Sequence, residues 1–460
     1  MVNTSESTTL ISLSKQLLRP KHEIVAFRNN QPLTVGELKK QVLNITHALN
    51  NTPKKFWALY MQDSFNFVAG LLALLYSGKQ PILVNPQLKE MNQHYDALLV
   101  DDIQFSNQHY PNKQIVNINK IEENDIISEH RLIASGFKHQ TLTLFTSGST
   151  GLPKPIEKSI SQLELEIHII ESNWGKFKNN LFIASVSHEH MYGLTFKIML
   201  PLSCRIPFVC EPVLYQEQLA TYYHNRIIYI TTPSIIKNLD DKLPTINCDK
   251  VVSSGGKLAY ENALLCKKSY GVLPNEVYGS SETGVIATRQ QTQGNMPWQL
   301  FSSIRIQHQN SKQPLLISPL LTQPEPLSDE IKKIDENFFY LNGRIDKIVK
   351  ISENRVSLTF IEKQLNQLNE VAENIVIPLE QNNRTILGAI IVLSHPYKKI
   401  LQQYNHFELI QYFRLLLKDE LSLIEIPKKW RFVESLPKNT QGKSAYIDLK
   451  KLFDAQKSNG

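Results

Sequence analysis

The spacing of apolar positions changes repeatedly along the first three hundred residues. Leu33-Thr34-Val35-Gly36-Glu37-Leu38 leads into helical spacing at Leu43, Ile45, Ala48 and Leu49. Phe56-Trp57-Ala58-Leu59-Tyr60-Met61 has the length of a strand, and 65–76 is apolar on all sides, as a buried helix is. Gln80-Pro81-Ile82-Leu83-Val84-Asn85-Pro86 reads as a strand ended by proline. The rhythm recurs with a strand at 181–186, a helix over 194–202, and strands at 227–231 and 251–253. Strands alternating with helices predict a parallel sheet covered on both faces, an α/β fold.

From Ile304 the texture shifts to short segments broken by Pro314, Pro319, Pro324 and Pro326, which predicts a small β-rich subdomain. A hairpin follows, with strands at 331–334 and 338–341 and a turn at Asp335-Glu336-Asn337. The remaining chain has its own βαβ-like rhythm: a helix at 358–368, strands at 374–378 and 387–393, and a helix at 407–417. The expected boundary lies near Arg344–Asp346, giving domains 1–345 and 346–460. No internal repeat or low-complexity tract interrupts either.

Length and composition narrow this picture. A chain of 460 residues suggests more than one domain, and 42% apolar with 20% charged residues is globular in character. The longest strongly apolar run, 67–76, falls short of the roughly 20 residues a membrane span needs, so no integral membrane segment is expected. Met1-Val2-Asn3-Thr4-Ser5 lacks a basic region before an apolar core, and the expected location is the cytoplasm. Cys204, Cys210, Cys248 and Cys266 have no metal spacing and read as scattered reduced thiols. The net charge of +7 is spread without a Lys/Arg block, so no nucleic-acid partner is expected.

The most informative ten residues are Phe145-Thr146-Ser147-Gly148-Ser149-Thr150-Gly151-Leu152-Pro153-Lys154. Four hydroxyls, two glycines and a lysine can wrap donors around a polyphosphate, because glycine lets the backbone approach closely and take positive φ. The loop differs from that of the usual nucleoside triphosphatases, which needs Gly-Lys-Ser/Thr opening a helix. Here Pro153 precedes the lysine, and Pro155 after it keeps the segment extended.

This loop, with four later strings in the right order, resembles the adenylate-forming superfamily of acyl- and aryl-CoA synthetases, peptide-synthetase adenylation domains and luciferases. The resemblance runs from Thr34 to Lys443. It implies a large N-terminal domain of stacked α/β sheets with a small β-rich subdomain, and a small mobile α+β C-terminal domain. It also implies that Thr146, Ser147, Gly148, Ser149, Thr150, Gly151 and Lys154 hold the phosphates of ATP.

Val277-Tyr278-Gly279-Ser280-Ser281-Glu282-Thr283-Gly284 is similar to the family's Tyr-Gly-x-Thr-Glu motif. Tyr278 would stack on adenine beside Gly279, Ser281 would bond the α-phosphate in place of the usual threonine, and Glu282 would hold Mg²⁺. Ser254-Gly255-Gly256 resembles the segment whose backbone lines the adenylate and acyl pocket. In Ser187-His188-Glu189-His190-Met191-Tyr192-Gly193-Leu194, His190 is the histidine in register with the family's His-x-x-Gly element beside the carboxylate. Neighbours at a strand end project in opposite directions, which argues against zinc here, and His188 could equally be structural.

Asp329 lies fifteen positions before Arg344, the spacing of the family's ribose-binding aspartate; its rival Asp335 falls in the turn. Gly343-Arg344-Ile345-Asp346 resembles the hinge motif, with Arg344 near the ribose and Asp346 as pivot. Pro437-Lys438-Asn439-Thr440-Gln441-Gly442-Lys443 is similar to the segment carrying the catalytic lysine, here Lys443. A cation brought there would stabilise charge at the α-phosphate.

The reaction implied is ATP- and Mg²⁺-dependent activation of an aryl or fatty carboxylic acid to acyl-AMP. Transfer to coenzyme A or to the phosphopantetheine arm of an acyl carrier protein would follow. The compact chain and the 187–194 wording resemble stand-alone ligases of aryl-polyene and fatty-acid-like clusters, which load carrier proteins. Two departures stand out. Glu353 replaces a usual glycine in the loop that serves the thioester step, which leaves an adenylation-only enzyme as an alternative. The region between Gly284 and Asp329 is short and lacks the customary Gly-Tyr element, so the β subdomain is expected to be trimmed. A catalytically inactive adenylate-binding scaffold would be marked by loss of Lys443, Glu282 or Lys154, and all three are present.

Overall fold

The computed structural model describes residues 10–50, 52–84, 89–102, 110, 112–121, 136–147, 153–307, 313–344, 348–351, 354–381, 384–401, 403–418, 420–437, 444 and 446–454. Two large sheets organise the chain up to residue 344. The first has six strands in the order Gln114–Asn117, Ala97–Val100, Phe56–Tyr60, Gln80–Ile82, Thr141–Ser147 and Pro153–Ser159. Its first five strands run parallel, and the last turns back antiparallel at the sheet edge. The second has eleven strands. Asn275–Ser280, Cys248–Ser253, Arg226–Thr231, Asn180–Ala184, Phe208–Val209 and Ile24–Arg28 form its parallel centre.

Antiparallel strands extend that centre. Gly284–Arg289, Trp298–Leu300, Phe338–Arg344 and Asp329–Lys333 lie on one side, and Gln31–Thr34 on the other. The alternation expected from the sequence is present, whereas the antiparallel margins carry no helical interruption that periodicity could register. A separate three-stranded sheet of Arg305–Gln307, Leu315–Ile317 and Glu325–Pro326 forms where the prolines cluster.

Helix Ser64–Tyr76 forms because Asp63 caps it, accepting from the Asn66 N–H, and because its apolar residues leave no polar face. It packs so closely on the first sheet that a Cβ on Gly70 would lie 2.8 Å from Leu59 Cδ1. One apolar core runs through Leu59, Leu99 and Leu142 of the first sheet and Phe182, Ile228 and Ile230 of the second, joining the two. The expected 194–202 helix begins earlier: the chain is helical from 191 to 204, with a π-helical stretch over Leu194–Met199.

Beyond residue 347 the apolar cores are separate, with none reaching across to the earlier sheets among the described residues. Helix Leu358–Asn366 precedes the antiparallel hairpin Val371–Gln381 and Arg384–Leu393. Strand Lys429–Phe432 then returns parallel beside Arg384–Leu393 after helix His406–Leu417. The βαβ rhythm thus holds for this second pair, while the first pair is an antiparallel hairpin. Trp430 and Phe413 fill one face of this sheet, and Leu449 and Phe453 of helix Tyr446–Asp454 fill the other. Lys237 and Glu373 form an ion pair of 3.0 Å between the two parts of the chain.

Candidate active site

Strand Asn275–Ser280 crosses the second sheet and ends in the turn that carries Ser281 and Glu282. Ser280 and Thr283 lock that turn. The Ser280 N–H donates to Thr283 Oγ1 (3.1 Å), the Thr283 N–H donates back to Ser280 Oγ (3.2 Å), and the hydroxyls lie 3.0 Å apart. A Cβ on Gly279 would stand 2.4 Å from the Gly284 carbonyl oxygen, and Gly284 takes φ +70°. Both glycines are therefore conditions of the turn. Ser281 and Glu282 are half-buried at its corner.

Tyr278 points out of the same strand, packed beside Trp298 (ring centroids 5.8 Å) and Phe339 (6.1 Å). Its hydroxyl donates to Asp329 Oδ2 at 2.6 Å. Asp329 in turn sits directly opposite Arg344 in the hairpin register, so the fifteen-residue interval closes into one cross-strand pair. The rival Asp335 accepts from the Asn337 and Phe338 N–H groups, both at 2.8 Å, and serves the turn. Ser254 Oγ donates to the Val277 carbonyl (2.8 Å), bringing exposed Gly255 and Gly256 beside the Tyr278 strand.

The loop at 145–154 is a hairpin whose arms are described and whose tip, 148–152, lies outside the described residues along with Gly148, Ser149, Thr150 and Gly151. Thr146 pairs with Lys154 and Ser147 with Pro153 at the end of the ladder, and Lys154 is exposed. Two residues that the sequence reading passed over tie this region to the Glu282 turn. Lys158, on the strand leaving the hairpin, donates to the Glu282 carbonyl at 2.6 Å. Glu166, from the following helix Ile160–Trp174, accepts the Val285 N–H at 2.7 Å. Their signal was a charge among apolar positions: Lys158 between Ile156 and Ile160, and Glu166 between Leu163 and Ile170.

His188 and His190 part company. His188 is buried, its Nε2 2.9 Å from the Met61 carbonyl and its Nδ1 3.0 Å from Ser64 Oγ. A carbonyl only accepts, so Nε2 carries the proton, and the Ser64 hydroxyl beside Nδ1 donates to the Cys210 carbonyl at 2.9 Å. Burial, with the Lys197 ammonium nearby, pushes the imidazole down to about 3 and keeps it neutral. His190 is half-buried at the start of the helix at 191. Glu189 between them is pushed up to about 7, chiefly by burial. Gly193 has no alternative, since a Cβ there would lie 1.9 Å from the Ser187 carbonyl oxygen.

No three His, Cys, Asp or Glu side chains converge among the described residues, so these offer no all-protein metal cage. One half-buried carboxylate, Glu282, in a turn tied to the strand leaving the 145–154 hairpin, suits Mg²⁺, which is held by one or two carboxylates plus substrate phosphates. Among the other expected residues, Asp346, Glu353 and Lys443 lie outside the described residues, and Arg344 is placed by its backbone alone. The four cysteines are free and buried.

No family model matches the chain. Across 97% of its length it is 23% identical to a D-alanine–D-alanyl carrier protein ligase of Staphylococcus epidermidis, covering 99% of that protein. It is 21% identical to a stretch of nonribosomal peptide synthetase 7 of Aspergillus fumigatus, spanning about 20% of that much longer protein. Its fold is shared with O-succinylbenzoate coenzyme A synthetase from Bacillus subtilis in complex with AMP. That likeness has a TM-score of 0.77 at 17% identity and covers 95% of this chain and 97% of that one. It is shared too with an anthranilate CoA ligase in complex with anthranoyl-AMP, with a TM-score of 0.74 at 17% identity, covering 97% and 98%. In its ordered motifs and over nearly its whole length the chain is similar to members of the adenylate-forming superfamily. The activities named among these relatives are those of acid–thiol ligases.

Proposed function

We propose that the protein condenses a carboxylic acid with ATP to acyl-AMP and then passes the acyl group to the phosphopantetheine thiol of a carrier protein. In the first step a carboxylate oxygen bonds the α-phosphorus while the bond to the pyrophosphate oxygen breaks. In the second the thiol sulfur bonds the acyl carbon and AMP departs. The observation that carries the reading is the Tyr278–Asp329 hydrogen bond with Arg344 opposite. An aromatic face and a fixed carboxylate stand where adenine and two ribose hydroxyls need them.

Around that anchor the residues have distinct tasks. The 145–154 hairpin, with Lys154, Thr146 and Ser147 at its base, holds the departing pyrophosphate. Gly255 and Gly256 present backbone to the adenylate, Ser281 bonds the α-phosphate, and His190 orients the acid. Mg²⁺ held through Glu282 would supply neutralisation of phosphate charge. Lys443 is the cation assigned to charge developing at the α-phosphate, and Asp346 the pivot that removes it before the thiol step. The end-to-end match to a carrier protein ligase favours a carrier arm over coenzyme A.

The test is carboxylate-dependent exchange of labelled pyrophosphate into ATP over aryl, fatty, hydroxy and amino acids, D-alanine included. Exchange with at least one acid is expected, followed by acyl transfer to a holo carrier protein faster than to coenzyme A. No exchange with any acid would point to the scaffold, and exchange without thioester would point to the adenylation-only enzyme.

A further inference from the structure

Lys158 and Glu166 are buried, 4% and 2% exposed, and neither belongs to the motifs assigned above. They grip the backbone on either side of Thr283-Gly284. Lys158 Nζ donates to the Glu282 carbonyl oxygen, and Glu166 Oε1 accepts the Val285 N–H while its Oε2 takes the Thr195 hydroxyl at 3.0 Å. Gly284 fits only because it lacks a side chain, since a Cβ would lie 2.8 Å from Glu166 Oε1. Two charges withdrawn from water at one turn are costly unless each is hydrogen-bonded, and here each spends a bond on the main chain of the turn. Burial accordingly lowers the Lys158 ammonium and raises the Glu166 carboxyl, while each one's charge works against the other's shift.

The covalent path adds a second fact. Lys158 lies four residues after Lys154 on the strand that leaves the phosphate hairpin, and Glu166 lies on the helix that follows it. The hairpin and the Glu282 turn belong to different sheets, and these two side chains span the gap between them. We propose that Lys158 and Glu166 are positioning residues that clamp the Glu282 turn to the phosphate hairpin, so that the Glu282 carboxylate and the pyrophosphate cradle address one Mg²⁺ ion together. The inference rests on the reading of Glu282 as the metal carboxylate.

Calorimetry of ATP binding with and without Mg²⁺ tests it, with AMP binding as the metal-independent reference. The wild type is expected to bind ATP more tightly with Mg²⁺. In Lys158→Met, which keeps the apolar stem and loses the donor, that enhancement should shrink by about fivefold, the worth of one hydrogen bond. AMP, held by Tyr278 and Asp329, should bind within about twofold of wild type. Lys158→Arg should restore most of the enhancement. Glu166→Gln, close to isosteric, is read on the same scale if Lys158→Met does not fold, with at least about a twofold loss expected.

Unchanged Mg²⁺ enhancement in the folded variants overturns the clamp, and so does an equal weakening of AMP, which would mean general loosening. A wild type that binds Mg²⁺ and ATP in this way yet exchanges pyrophosphate with no acid would sink the adenylation reading and leave the clamp standing. A wild type whose ATP binding ignores Mg²⁺ would sink the clamp.

Discussion

Tyr278 shows how much one side chain can carry. Its ring is held by Trp298 and Phe339, and its hydroxyl fixes Asp329, so on the proposed reading one phenol joins base and sugar recognition. Tyr278→Phe keeps the ring and frees the carboxylate. A hydrogen bond to a charged group is worth about 1.5–3 kcal/mol, and ATP affinity by calorimetry should fall by about tenfold or more. An unchanged affinity would detach Asp329 from the nucleotide. Gly193 carries a different burden: with the Ser187 oxygen 1.9 Å from the place of a Cβ, Gly193→Ala must displace the 187–190 turn. The expected cost is about 1–3 kcal/mol in denaturant unfolding, with acid-dependent exchange falling further than ATP binding.

Between elements, His188 fastens the loop after strand Asn180–Ala184 to the first residue of helix Ser64–Tyr76. Folding holds this imidazole neutral down to about pH 3, whereas the unfolded chain protonates it near pH 6.5. Below pH 6.5 the unfolded state therefore binds the extra proton, and stability is lost as pH falls from about 6.5 towards 3. The slope attributable to this group approaches about 1.4 kcal/mol per pH unit in the middle of that window. Comparing wild type with His188→Gln by denaturant unfolding at pH 7, 6, 5 and 4 should show a shallower decline in the variant. Parallel declines would mean that the ring titrates alike in the folded and unfolded chain.

The same scale explains what could be read from the chain. Helix Ser64–Tyr76 and strand Phe56–Tyr60 were legible because a run of apolar residues has one buried solution at that length. The Asp329–Arg344 pair was legible as a spacing, and the hairpin register turns the spacing into proximity. Lys158 and Glu166 were not, because a charge on an apolar stripe announces burial without naming its partner. That partner is a main-chain group more than a hundred residues away. The π-helical stretch at Leu194–Met199 escaped for a related reason: its apolar periodicity is nearly that of an ordinary helix.

At the scale of the molecule, the proposal assigns each half of the reaction to a different arrangement of the two parts of the chain. Lys443→Ala is expected to abolish pyrophosphate exchange while leaving thiolysis of supplied acyl-AMP within about threefold of wild type. Equal loss of both steps would remove the lysine from its assigned role. The Lys237–Glu373 pair joins the two parts across 3.0 Å with both side chains partly in water. Such pairs are worth about 0–1 kcal/mol, so Lys237→Ala should leave the unfolding midpoint nearly unmoved and cannot by itself latch the molecule.

The 145–154 hairpin also bears on how the protein keeps its own copies apart. Strand Pro153–Ser159 is the margin of its sheet, where unpaired amides would invite another chain to add a strand. In an antiparallel ladder alternate residues turn their amides outward, and here those positions are 153, 155, 157 and 159. Two are prolines with no N–H to offer, and Ser159 spends its N–H on the Gln162 side chain at 2.9 Å. The remaining one, Glu157, carries a charge that discourages stacking against a like edge. The prolines at the base of this hairpin thus blunt an adhesive border, so that the rim of the sheet does not invite a second copy in a crowded solution.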